Sequence, residues 1–251
     1  RYARSLSRNF GAQLHVIHVM ENLFLRPMAN DPHAIEVGIT RRLLDVLSDE
    51  DRNELHAVPV IRKSDEPADE IVKYAKAEQI DLIIMGMKGS GGLEKLMGST
   101  TTNVIRKIKT PVLVVPENAR YQPIQKVLYP SDFSYKTTHH IYNRLLEIID
   151  AYHARLSILH ISFNHSGETP EKLMQKKEMG QVFRSVNFDF LDKESHSVTQ
   201  GINEYLADNP TDLIAMVAHQ HSFLERLFSK SHTNAIVYES NLPLLVLQDK
   251  E

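Results

Sequence analysis

Five of the ten glycines in this 251-residue chain fall in the stretch Gly86-Met-Lys-Gly89-Ser-Gly91-Gly92-Leu-Glu-Lys-Leu-Met-Gly98, which runs on into Ser99-Thr100. Glycine tolerates positive φ and lets a ligand come close to the backbone. A turn of such residues can aim successive N–H groups at phosphate oxygens. Ser99 stands where the cap of a following helix belongs, and the free N–H groups and positive dipole end of that helix favour an anion. Lys88 and Lys95 would add charge at the rim, and Glu94 is the acid of the loop. A glycine-rich surface turn without a ligand is the plainer alternative. The position of the loop favours phosphate: it follows the apolar run Leu82–Met85 and precedes a helix expected from Ser99 to about Lys107. That is the strand-to-helix crevice where ligands of open α/β sheets sit.

The elements that must position this loop are written twice. Asp81-Leu-Ile-Ile-Met-Gly86 returns 131 residues later as Asp212-Leu-Ile-Ala-Met-Val217. Thr102-Asn-Val-Ile105 returns as Thr233-Asn-Ala-Ile236, Thr110-Pro-Val-Leu-Val-Val115 as Leu242-Pro-Leu-Leu-Val-Leu247, and Ala12–Val19 as Ala154–Ile161. Four motifs in one order indicate a duplication. The first copy predicts strands at 14–19, 57–61, 82–85 and 112–115, and the second at 127–129, 156–161, 186–190, 213–217 and 244–247. Between strands, Ala68, Ile71, Val72 and Ala75 follow the i, i+3, i+4, i+7 stripe of a helix behind the start signals Asp65 and Pro67. Val198, Ile202, Tyr205 and Leu206 make the matching helix. Strand–helix alternation with continuous apolar strands predicts two tandem α/β domains, 1–118 and 124–251. Each is a mainly parallel five-stranded sheet covered by helices on both faces, Rossmann-like. Glu117 to Pro123 reads as the linker.

The copies differ at two places. The second opens with a strand and turn, Lys126-Val-Leu-Tyr-Pro-Ser-Asp-Phe-Ser134, ahead of a helix to about Tyr152, whereas residues 1–11 of the first begin inside the corresponding helix. That strand is central in the proposed sheet, so its absence leaves two neighbours unpaired, and a natural segment ahead of residue 1 is expected. In the second copy's loop, equal spacing puts Val217 at the place of Gly86, Gln220 at Gly89, Ser229 at Gly98 and Lys230 at Ser99, with bulky Phe223, Leu224 and Phe228 between. The second copy is therefore expected not to bind a nucleotide in this way and to fill its crevice with its own side chains.

Gly86-x-x-Gly89, a spacer and Gly98-Ser99 resemble the ATP-binding signature of the universal stress protein family. The flanking Asp81-Leu-Ile-Ile-Met, Thr110-Pro-Val-Leu-Val-Val115 and Val127-Leu-Tyr-Pro-Ser-Asp132 are similar to the family's strands, and the likeness covers nearly the whole chain. The spacer departs by one residue, with eight between Gly89 and Gly98 where the family usually has nine. The resemblance implies ATP or AMP, with or without Mg, held by Gly86, Gly89, Gly98, Ser99 and the Thr100 backbone, with Val19 and Met85 against the adenine. It implies a stress-response regulator or sensor without catalytic residues, weak ATP hydrolysis being compatible with that role. It also implies that the copies pair through their last strands as an internal pseudo-dimer, and that the chain forms a homodimer.

Composition narrows the rivals. A net charge of -3 gives no basic field for nucleic acid. No apolar run approaches the roughly 20 residues that cross a bilayer. Cysteine is absent, which removes thiolate catalysis and suits the cytoplasm. Thirteen histidines raise a metal reading for His219, His221, His232 and the pair His139-His140, but no acidic cluster completes a ligand set. His15, His18 and His160 lie in strand runs and read as structural. A nucleotide-independent scaffold of the same fold, and an enzyme using Glu94, are the alternatives.

Overall fold

Strands and helices alternate as the apolar runs predict. The computed structural model describes residues 2–20, 37–41, 45, 56–87, 99–133, 139–162, 169–218 and 242–249. The chain forms two compact units, Arg1–Ile80 and Asp81–Glu251.

The first unit contains α1 (Tyr2–Phe10), β1 (His15–Met20), β2 (Val58–Lys63) and α2 (Pro67–Ala77). Gly11 ends α1 at φ +56, and Ala12 N–H donates back to the Ser7 carbonyl at 2.9 Å, a turn that positive φ makes possible. β1 and β2 form a parallel two-stranded sheet with His15 opposite Val58 and Met20 opposite Lys63. Pro67 starts α2, Asp69 and Glu70 lie in its first turn and Lys76 in its last, each at the end its charge favours. Ala68, Val72 and Ala75 of the expected stripe are buried, and Tyr74 joins them.

The second unit holds one sheet in the order β3-β4-β9-β8-β5-β6-β7. Its strands are β3 (Ile83–Met87), β4 (Val112–Pro116), β5 (Lys126–Pro130), β6 (Arg155–Ser162), β7 (Phe188–Glu194), β8 (Leu213–Ala218) and β9 (Leu244–Gln248). Every neighbouring pair is parallel except β4 and β9, which run antiparallel with Leu113 opposite Leu245. The last strands of the two copies thus pair directly, as the family resemblance implied. The helices are α3 (Ser99–Lys107), α4 (Asn143–Tyr152) behind a 3-10 turn (His139–Tyr142), α5 (Pro170–Val182) and α6 (Val198–Asp208). Thr169 and Ser197 cap α5 and α6 by accepting the N–H of Lys172 and Gln200. β5 is central, with Val127, Leu128 and Tyr129 at most 3% exposed. Around it Tyr129, Tyr142, Phe183 and Phe188 meet in tilted and edge-on pairs.

The duplication extends to register. Each of the five pairs between β3 and β4 has its counterpart between β8 and β9, from Ile83–Val112 and Ile214–Leu244 to Met87–Pro116 and Ala218–Gln248. Pairs of β1 with β2 map in the same way onto pairs of β6 with β7, His15–Val58 matching Ser157–Asp189. The first copy's counterpart of β5 is the one strand of the pattern without a match among the described residues. Among the described residues β1 pairs with β2 alone and β3 with β4 alone.

Candidate functional site

Gly86 lies near the end of β3, opposite Val115 of β4. It is exposed, its φ is not in the left-handed region, and a Cβ built on it meets no atom within 4 Å. The glycine here leaves open space at the strand end, and the backbone itself is unstrained. Met85 beside it is half-buried. Gly89 and Gly98, with the loop between them, lie outside the described residues.

α3 begins at Ser99, one position inside the place the sequence gives to a cap. Its first turn is Ser99-Thr-Thr-Thr102, without an acidic residue, and Arg106 and Lys107 stand in its last turn. Nothing in that first turn competes for an anion, and the helix dipole favours one there. Thr100 is half-buried. Val104, Ile105 and Ile108 are at most 2% exposed, which fixes the helix on the sheet. Thr101, which the sequence reading passed over, is buried at 4% and its hydroxyl lies 3.5 Å from the Gly86 carbonyl oxygen. That long contact ties the first turn of α3 to the end of β3. The second of three consecutive threonines, Thr100 to Thr102, gave no signal that it would turn inward.

Among the described residues two features suit a phosphate group: open space at the Gly86 strand end and a helix first turn without an acid. Of the residues expected to hold a nucleotide, Met85, Gly86, Ser99 and Thr100 come together in the second unit. Val19 belongs to the first, where it is half-buried near the end of β1.

The equivalent place in the second copy differs as the sequence predicts at its one described position. Val217 pairs with Leu247 where Gly86 pairs with Val115, and its side chain is 4% exposed. Phe223, Leu224 and Phe228 lie outside the described residues. After β5, Phe133 takes φ +53 and turns its ring inward, 5.5 Å from His160 and 5.9 Å from Phe190. It covers the ends of β6 and β7 with apolar surface.

Two of the strand histidines, His160 and His15, are held by hydrogen bonds. His160 is 8% exposed, and its Nδ1–H donates to the Ser131 carbonyl at 3.1 Å. His15 accepts from the Tyr74 hydroxyl at 2.7 Å while its Nε2–H donates to Gln13 at 3.1 Å. His18 is exposed. Among the described residues no three of His, Asp or Glu gather as metal ligands; His219, His221, His232 and the His139 side chain lie outside them. A depression of about 460 Å³ in the first unit is lined by His15, Arg62, Tyr74 and their neighbours. Its polar groups are engaged with one another, Arg62 standing 5.1 Å over the Tyr74 ring and 3.6 Å from Glu70. Among the described residues no helix is long and apolar enough to cross a membrane.

A universal stress protein of Methanocaldococcus jannaschii is 29% identical over 127 residues, 46% of this chain and 71% of that protein. A second from the same organism is 54% identical over 50 residues, 20% of this chain and 31% of that protein. The crystal structure of a universal stress protein from Archaeoglobus fulgidus superimposes at TM-score 0.69 with 18% identity, over 100% of this chain and 91% of that one, a likeness of fold. The family model described as "Universal stress protein family" matches twice, at residues 1–116 and 123–248. Two matches in succession, over a chain whose strand registers repeat pair for pair, place it in the universal stress protein family as a tandem, two-copy member.

Proposed function

We propose that the first copy binds ATP or AMP through the Gly86–Thr100 segment, and that the chain acts as a stress-response regulator or sensor rather than as a fast enzyme. The observation that carries this is the open strand end at Gly86, where a Cβ would meet nothing within 4 Å, joined by Thr101 to a helix first turn free of acids. In this reading the phosphates lie against the N–H groups of Gly86, Gly89, Gly98, Ser99 and Thr100, and the adenine lies against Met85. Mg, where present, would be held by phosphate oxygens, since the loop offers Glu94 as its single acid. The second copy, with Val217 in place of glycine, contributes strand pairing instead. A net charge of -3 and the absence of cysteine support a cytoplasmic protein without nucleic-acid partners, and the family supports a homodimer.

Melting the chain with and without millimolar ATP or AMP tests the reading. A ligand at a hundred times its Kd adds about 2.7 kcal/mol of stability. No shift with either nucleotide would leave the second reading, a nucleotide-independent scaffold, which the direct β4–β9 pairing favours.

A further inference from the structure

β7 stands at the end of the seven-stranded sheet and, among the described residues, pairs with β6 alone. Its ladder fixes where its main chain points. The Asn187 carbonyl accepts the Leu156 N–H at one end, and the Ser195 N–H donates to the Ser162 carbonyl at the other. Alternate residues from Asn187 therefore bond β6, while Phe188, Phe190 and Asp192 turn their N–H and C=O groups to the outer edge. β2 holds the equivalent place in the first copy, and there the outer edge is closed. Pro59, the counterpart of Phe190, has no N–H to give, and Arg62 Nη1 donates to the outward Ile61 carbonyl at 3.0 Å. β7 has neither device, and its Phe188, Phe190 and Leu191 are half-buried. Leu173, 50% exposed, stands two helical turns before Gly180, on the side of α5 that meets the Phe188 and Phe190 rings.

The charges of β7 are arranged symmetrically about Leu191. Asp189 and Lys193 lie at equal distance on either side of it and share its face of the sheet. Arg155 pairs with Asp189 at 2.5 Å, and Glu204 with Lys193 at 3.3 Å. We propose that this edge is an interface between two copies of the chain: β7 pairs antiparallel with the partner's β7 across a twofold axis at Leu191. The proposal rests on the homodimer of the reading above and gives it a surface. β4 and β9 are already joined to each other within the chain, so a second copy meets a different edge. In this register Phe190 lies opposite the partner's Asp192, a pair that exchanges both N–H···O bonds on each side of the axis. Lys193 lies opposite the partner's Asp189 in the closer class of pair. Arg155, Asp189 and the partner's Lys193 and Glu204 then form a row of alternating sign. Moving the axis to Asp192 sets two aspartates face to face, and moving it to Phe190 sets Asp189 against leucine. A self-complementary patch of this kind closes as an isologous dimer.

Sedimentation velocity of the whole 251-residue chain without nucleotide, up to hundreds of micromolar, keeps the outcome independent of ATP binding. A reversible monomer–dimer equilibrium is expected, with hydrogen-exchange protection at Phe190 and Asp192 rising with concentration. Asp192→Pro removes an outward donor and spares every bond to β6; it should leave a folded monomer. Asp189→Lys and Lys193→Asp each set like charges opposite one another and should weaken the dimer about tenfold. Mixing these two variants restores opposite charges at both contacts and should restore the dimer. A chain that stays monomeric at every concentration overturns the proposal together with the homodimer. A dimer indifferent to Asp192→Pro, or charge variants that mixing fails to rescue, keeps the homodimer and overturns its β7 surface.

Discussion

Gly86→Val writes the residue of the second copy into the strand end of the first, and its effects on folding and on ligand should separate. A Cβ at position 86 meets nothing within 4 Å and the backbone is not left-handed, so valine enters without strain. Strand propensity favours valine over glycine, and the change in folding stability should stay within about 1 kcal/mol, on the stabilising side. The γ-methyls, however, stand in the space where phosphate must approach the β3 backbone. In the parent chain, ATP at a hundred times its Kd contributes about 2.7 kcal/mol, a rise in Tm of roughly 5–11 °C for a chain of this length. A hundredfold loss of affinity at the same ATP concentration leaves RT ln 2, about 0.4 kcal/mol, or roughly 1 °C. Differential scanning fluorimetry of both proteins, with and without ATP, reads all four values. A Gly86→Val chain that melts like the parent and keeps the full ATP shift would refute the argument that this glycine makes room for the ligand.

Three further outcomes follow from the packing and can be checked by urea unfolding. The Asp212 carboxylate clamps the start of β5 by accepting the N–H groups of Gln125 and Lys126, each at 2.9 Å. Asp212→Ala removes that clamp and should cost about 1–3 kcal/mol, whereas Asp81→Ala loses an exposed ion pair with Arg144 worth about 0–1 kcal/mol; equal losses would count against the clamp. Gly201→Ala puts a Cβ 2.6 Å from Ile161 Cδ1 and 2.9 Å from its Cγ2, an overpacking of about 1–3 kcal/mol that Ile161→Val should partly relieve. Burial, with the Tyr142 hydroxyl 3.2 Å away, raises the Tyr129 pKa well above tyrosine's ordinary value. The fold therefore favours the neutral phenol, and its contribution is complete below about pH 10 and is lost as pH rises toward the folded value, by about 1.4 kcal/mol per pH unit. Tyr129→Phe should flatten that alkaline slope.

Much of the architecture was legible because periodicity and repetition reinforced one another. Ala68, Val72 and Ala75 named the buried face of α2, and α6 starts and ends 131 residues after α2. The pairing of β4 with β9 was implied by the family resemblance and not by the periodicity. β7 was read too early, at 186–190 rather than Phe188–Glu194, because its later half, Asp192-Lys-Glu194, is charged. It is an edge strand, where charge is tolerated, and Lys176 and Glu204 pair with Asp192 and Lys193. At the candidate site the glycines and the start of α3 could be seen in sequence, whereas the inward turn of Thr101 could not. Nor could the clamp at Asp212, since a carboxylate that binds backbone N–H groups 86 and 87 residues earlier in the chain leaves no pattern in side-chain types. The sequence displayed the recurrence of Asp81 as Asp212 and nothing of the contrast in their partners.

Isothermal titration of the chain with ATP bears most directly on a duplicated fold with one working copy. A single saturable site per chain is expected, abolished by Gly86→Val and untouched by Val217→Ala. Two sites per chain, or none at millimolar ATP, would contradict it.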